Sequence, residues 1–287
     1  RLDFINTMTT MILGHCPAPV MGAVKEQLDL GVAYNAPNEH QIRLAKILCD
    51  RVPSFDLVRF TNSGTEATLN TIRAARAFTG KTKFAKVEGG YHGTHDAVTV
   101  SVRVDPKVAG DPRSPQAVAA SEGLADGILD QVVVIPFNHT ATARQILEEN
   151  KDELAAVIVE PVMGSVGMVP ASADFLTMLR EFTQENGIVL IFDEVISFRV
   201  APGGSQQYYG ITPDMTSLGK IIGGGFAVGA FGGRKDIMDL YDPTKGIKVS
   251  HAGTFNANPV TMLAGSVTLE HLTPEVYRDL AELTEEL

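Results

Sequence analysis

The stretches AVIV (residues 156–159) and GIVLIF (residues 187–192) carry no polar side chain at all. Successive side chains of a strand point to opposite faces, so a strand of this kind needs apolar cover on both sides. Segments of helical period lie between such strands. In residues 66–78, Leu69, Ile72 and Ala75 share one face, with Gly80 as the stop. Ser172 can cap a second helix that buries Phe175, Met178, Leu179 and Phe182 and ends at Asn186-Gly187. Shorter apolar runs at residues 58–62 (VRFTN), 84–87 and 132–135 complete the set, the last closed by Pro136. The pattern predicts an α/β fold, a mostly parallel sheet flanked by helices. Ligands of such sheets sit beyond the carboxyl ends of the strands, where Ser63, Glu160 and Asp193 fall. Residues 101–130 are the least regular and read as a surface excursion. The chain carries no internal repeat or low-complexity tract.

Composition narrows the function classes. A chain of 287 residues can bury one sizeable core and part of a second domain. With 44% hydrophobic and 20% charged residues, it has the make-up of an ordinary globular protein. A net charge of −10 argues against nucleic acid or an anionic membrane as partner. No apolar run approaches membrane-spanning length, and the start, RLDFINTM, lacks a signal-peptide pattern. Cys16 and Cys49 stand in unrelated contexts without metal-ligand spacing, which reads as reduced thiols in a cytoplasmic protein. No methionine opens the chain, and it stops inside the charged helical pattern EVYRDLAELTEEL, so a fragment or a partly ordered longer chain is expected.

Lys220 is the only charged residue between Asp214 and Arg234, in MTSLGKIIGGGFAVGAFGG (residues 215–233). A surface loop would carry several charges, and a core strand is expected to carry no lysine. An amine among apolar and glycine neighbours should have a lowered pKa, which suits a nucleophile toward an aldehyde. Asp193 ends an apolar strand upstream. Together the two point to pyridoxal phosphate. Competing glycine motifs fail on spacing. Gly223, Gly225 and Gly229 hold one residue too many for a dinucleotide fingerprint, and Gly80-Lys81-Thr82 has Ala75 where a Walker loop needs glycine. Asn62-Ser63-Gly64-Thr65-Glu66 joins strand to helix, so the amides of Gly64 and Thr65, with the hydroxyls of Ser63 and Thr65, suit a phosphate dianion. The same residues also make a plain N-cap. His92 and His95 resemble a metal pair, but no third ligand of suitable type lies nearby, so no metal is expected.

The chain resembles the class III (subgroup II) aminotransferases of pyridoxal-phosphate fold type I, in the branch of glutamate-1-semialdehyde aminomutase and β-amino-acid transaminases. MILGHCPAPV (11–20), RFTNSGTEA (59–67), GGYHGTHDA (89–97), VEPVMGSVG (159–167), IFDEV (191–195), residues 198–233 and HAGTFNANP (251–259) carry the likeness in the family's order. The resemblance implies a remnant of an N-terminal segment at residues 1–20 and a large cofactor-binding domain at 21–262. It further implies, at 263–287, the start of a helix leading to a small domain largely absent from this chain.

By position, the resemblance implies that Lys220 forms the Schiff base and later moves the proton between Cα and C4′. It places Asp193 against the pyridine nitrogen, Val195 and Tyr91 on the two ring faces, and Ser63, Gly64 and Thr65 on the phosphate. His92 and Glu160 join the cofactor-binding set, and Thr254 is expected to reach the phosphate of a neighbouring subunit in a homodimer. Plainer roles stand beside these: Asp193 capping a turn, Tyr91 as a packing residue, Glu160 as a local acceptor, Thr254 opening a turn before Pro259. The implied reaction moves an amino group between a small-molecule amino donor and a carbonyl acceptor, through the pyridoxamine phosphate form. Two alternatives remain, the intramolecular aminomutase and a catalytically silent pyridoxal-phosphate-binding protein. Ser165 differs from the asparagine of the mutase pattern, as do His251 and residues 254–258, while residues 198–206 agree with it.

Overall fold

The computed structural model describes residue 3 and residues 5–286. A seven-stranded sheet forms its centre: β1 Leu57–Thr61, β2 Lys83–Val87, β3 Val132–Ile135, β4 Leu154–Val159, β5 Val189–Asp193, β6 Met215–Gly219 and β7 Gly229–Gly233. The strand order is β1-β7-β6-β5-β4-β2-β3. Four neighbouring pairs are parallel, and β7 runs antiparallel to both β1 and β6. The main helices are α1 Ala18–Leu30, α2 Glu39–Arg51, α3 Gly64–Thr79, α4 Thr140–Asn150, α5 Ala173–Glu185, α6 Gly204–Tyr209, α7 Pro259–His271 and α8 Pro274–Glu286. α7 runs continuously across residues 262 and 263.

The unbroken apolar strands are explained by two cores. In β4, Ala156 and Ile158 join the cluster with Ile72 and Ala75 of α3, while Val157 and Val159 join Phe175, Leu179 and Phe182 of α5. Strand β5 divides likewise, Ile191 to one side and Leu190 and Phe192 to the other. Each fully buried side chain of this size contributes roughly 1.5–3 kcal/mol. α5 begins where expected, with the Ser172 hydroxyl accepting from the Phe175 amide at 3.3 Å. α3 ends at Gly80, whose φ of 73° is left-handed. The segment 101–130 is mostly exposed and carries a two-residue ribbon, Gly110–Asp111 with Ser114–Pro115, and a single bridge from Ala119 to Val100, before a short turn of 3₁₀ helix at Leu129–Gln131.

One expectation needs correcting, and two strands were not predicted. β6 and β7 occupy the ends of the glycine-rich stretch 215–233 and pair with each other. Small residues there let the backbone pack closely, which hid the strand signal of alternating or branched side chains. A lysine does stand in a core strand. Lys86 of β2 is completely buried, its Nζ donating to the carbonyls of Val87 and Val100 at 3.1 and 2.8 Å. Those carbonyls replace the water that a buried ammonium would otherwise lack.

Candidate active site

Lys220 follows directly on β6 and opens a short 3₁₀ turn, Lys220–Gly223, with φ 52°. The turn is pressed against α7. A Cβ built on Gly265 would lie 2.0 Å from the Ile222 carbonyl oxygen, so helix and turn meet backbone to backbone. Half-buried, the Lys220 amine is held below the usual lysine range by desolvation, with the carboxylates of Asp193 and Glu160 pulling the other way. This is the direction expected from the sequence, and its cause is the expected one.

Asp193 is the last residue of β5 and is 4% exposed. One carboxylate oxygen accepts from the Val195 amide at 3.1 Å, and the other lies 2.8 Å from Nδ1 of His92, itself buried. The Asp193–His92 contact was not legible in the sequence. Asp193 ends β5 while His92 lies in the loop after β2, and only the sheet order places these strands on either side of β4. Nε2 of His92 is buried without a hydrogen-bond partner among the described residues.

Glu160, just beyond β4, accepts from the amides of Tyr91 at 2.8 Å and Gly164 at 3.3 Å. Burial raises its carboxyl above the ordinary range, a rise that His92 opposes and Asp193 adds to. Its contacts make it the anchor of the Tyr91 backbone. Tyr91 itself is 42% exposed and lines the cavity described next.

Between β1 and α3, the Ser63 hydroxyl accepts from the Glu66 amide at 3.2 Å, and the Glu66 carboxylate accepts from the Asn62 amide at 2.6 Å. The N-cap reading of Ser63 therefore holds alongside its place in the site. Gly64 and Thr65 are the first residues of α3, where amides have no acceptor within the helix. The Thr65 hydroxyl accepts from the Thr94 amide at 3.3 Å.

These pieces surround one cavity of about 320 Å³. Its lining includes Ser63, Gly64, Thr65, Tyr91, His92, Glu160, Asp193, Val195 and Lys220, so nine of the ten residues expected from sequence converge. Thr254 does not line it. It is exposed, in a turn fixed by Asn256, whose Oδ1 accepts from Asn62 Nδ2 at 2.7 Å. Thr10, Ile196 and residues 226–228 also line the cavity without having been singled out. Among the described residues, no group of three or more His, Cys, Asp or Glu could hold a metal ion. No helix among them is long and apolar enough to cross a membrane.

The donor set fits pyridoxal phosphate. A Cβ on Gly64 would approach the Val195 methyl carbons at 3.0 and 3.1 Å, and one on Gly219 would approach one of them at 3.3 Å, so Val195 forms a bed between the α3 terminus and Lys220. The helix terminus offers amides to a phosphate, the bed offers a face to a flat ring, and Asp193 offers a buried carboxylate to a ring nitrogen. An amine of lowered basicity stands at the end of the same cavity.

The family model described as "Aminotransferase class-III" matches residues 1–287. The glutamate-1-semialdehyde 2,1-aminomutase of Methanocaldococcus jannaschii is 46% identical over 281 residues, covering 98% of this chain and 64% of that protein. Among solved structures, an omega-transaminase from Sphaerobacter thermophilus matches with a TM-score of 0.96 and 49% identity, over 100% of this chain and 65% of that one. A transaminase with PLP bound matches at 0.92 and 38% identity, over 100% and 66% respectively. The chain thus spans a little under two thirds of the length of these relatives.

Proposed function

Because the chain belongs to the class-III aminotransferases, we propose that it is a pyridoxal-phosphate-dependent aminotransferase, moving an amino group between a small-molecule amino donor and a carbonyl acceptor. The observation that carries this reading is the convergence of Lys220, Asp193 and the α3 terminus on one cavity. Bound pyridoxal phosphate supplies an aldehyde that condenses with amines and a ring that withdraws electrons from the adjoining carbon.

In this reading the amine of Lys220 would hold the cofactor through that aldehyde, and the desolvation that lowers its basicity favours the nucleophilic form. The same amine would carry the proton between the donor's Cα and C4′. Asp193 holds the pyridine nitrogen protonated, and His92 fixes the carboxylate's orientation from behind. The amides of Gly64 and Thr65 take the phosphate. Val195 and Tyr91 enclose the ring, Tyr91 being set by Glu160 through its amide. Thr254 would reach the phosphate of a second subunit, which would make the working form a homodimer. The cytoplasm is the compartment that fits two unpaired cysteines.

A second reading is favoured by the name of the Methanocaldococcus jannaschii relative: an aminomutase that moves the amino group between adjacent carbons of one molecule. A donor panel separates these. Glutamate 1-semialdehyde, 3-amino acids and simple ω-amines are each mixed with the cofactor-loaded protein while the bound-cofactor absorbance is followed. Aminotransfer predicts that at least one donor changes the absorbance and that a separate carbonyl acceptor restores it. Conversion of the semialdehyde with no acceptor present would establish the aminomutase. An absorbance unmoved by every donor would overturn both in favour of a silent binding protein.

A further inference from the structure

Lys86 has no place in the chemistry above, yet it is costly to keep. Its side chain is completely buried in β2, and burial pushes its amine down to about 7 against the opposing pull of Glu160 and Glu88. A methionine would fill the same space without that desolvation, so packing does not explain the lysine. Its contacts do. Nζ meets three backbone carbonyls, Val87 at 3.1 Å, Val100 at 2.8 Å and Ser101 at 3.5 Å. Two of these also serve the turn that leads into the site: the Gly90 amide donates to the Val87 carbonyl at 3.1 Å, and the Gly89 amide to that of Ser101 at 2.8 Å. Tyr91 is the next residue, its own amide bound to Glu160.

We propose that Lys86 is a positioning residue, whose ammonium ties the end of β2 to residues 100–101 so that the Gly89-Gly90 turn presents the Tyr91 ring to the cofactor. Three carbonyl dipoles converging on one point repel each other unless a donor stands between them. Without that donor the turn loses its shared anchor, and Tyr91 keeps only the link to Glu160. The inference rests on the pyridoxal-phosphate reading of the cavity and adds a residue outside it.

The test is a double-substitution cycle read by the dissociation constant for pyridoxal phosphate and by the circular dichroism of the bound cofactor. Lys86→Met is expected to weaken cofactor binding about tenfold, the scale of one lost aromatic contact, and to change the dichroic band that reports ring orientation. In a Tyr91→Ala background the same substitution should add less than about twofold, because its effect passes through a ring no longer there. Lys86→Gln, which retains an amide donor, serves the same cycle if Lys86→Met does not fold. Equal effects of the Lys86 substitution with and without Tyr91, or an unchanged dichroic band, would overturn the proposal while the parent chain still binds cofactor. A parent chain that binds no pyridoxal phosphate overturns the cofactor reading and this inference with it.

Discussion

Nδ1 of His92 stands 2.8 Å from a carboxylate oxygen of Asp193, with both side chains shut away from solvent. A buried carboxylate with an imidazole behind it can point its other oxygen at one fixed place. Asp193→Asn is therefore expected to keep the cofactor while lowering turnover by about 100-fold or more, the scale of a lost acid–base partner. His92→Phe should give a smaller loss, roughly tenfold, from a misaimed carboxylate. Single-turnover rates with a saturating donor measure both, and an Asp193→Asn rate equal to the parent's would reduce Asp193 to a structural cap.

Lys220→Ala removes an amine that is only half-buried, so the fold should survive with a stability change within about 1 kcal/mol. Turnover should fall by about 1000-fold or more. Absorbance of the cofactor mixture and a thermal melt separate the chemical loss from the structural one.

Gly265→Ala tests how tightly the Lys220 turn is pressed onto α7. The added methyl would meet the Ile222 carbonyl, a backbone atom that cannot swing aside. A loss of about 1–3 kcal/mol is expected in denaturant unfolding, the range for an overfilled core, together with weaker cofactor binding.

His95 makes the fold sensitive to acid. Burial, with His92 next to it, pushes its pKa down to about 4 from an ordinary 6.5. Above 6.5 the imidazole is neutral in folded and unfolded chains alike, and its titration no longer affects stability. As pH falls from 6.5 toward 4 the unfolded chain takes up a proton that the folded one refuses, and stability drops by about 3 kcal/mol in total. His95→Gln should flatten the unfolding free energy over that window by a comparable amount, as urea titrations at several pH values would measure.

Thr254 bears on assembly. If its hydroxyl completes a phosphate site in a second subunit, Thr254→Val should weaken cofactor binding about tenfold. Added pyridoxal phosphate should then shift the parent chain toward dimer by mass action, which sedimentation velocity detects. A monomer that binds cofactor as tightly as any dimer rejects the composite site.

Much of this architecture is legible in the residues themselves. Strands β4 and β5 announce their two-faced burial by lacking polar side chains, and α5 by its capping serine and its 3.6-residue stripe. Asp193 and Glu160 were legible because strand ends mark a sheet's binding edge. The strands β6 and β7 were not, since glycine-rich segments carry almost no side-chain pattern. Lys86 was not either. Its immediate neighbours in sequence are apolar, and of the three carbonyls that satisfy it only that of Val87 is local, the other two coming from residues 100–101, which the fold brings near. The His92–Asp193 contact spans 101 residues for the same reason.

The antiparallel course of β7 gives Lys220 a mechanical property that a helical crossover would not. Gly219 and Gly229 face each other across the paired strands, so residues 220–228 form a short span pinned at both feet by the same ladder. Closing so short a span leaves it few configurations to lose when a ligand arrives. Lys220 stands at one foot with its backbone in the left-handed region, φ 52°, a conformation that lysine does not choose freely. The amine thus hangs on four flexible carbons from a root that the ladder pins on both sides, so under the reading proposed above its reach would come from the side chain and not from the sheet that carries it.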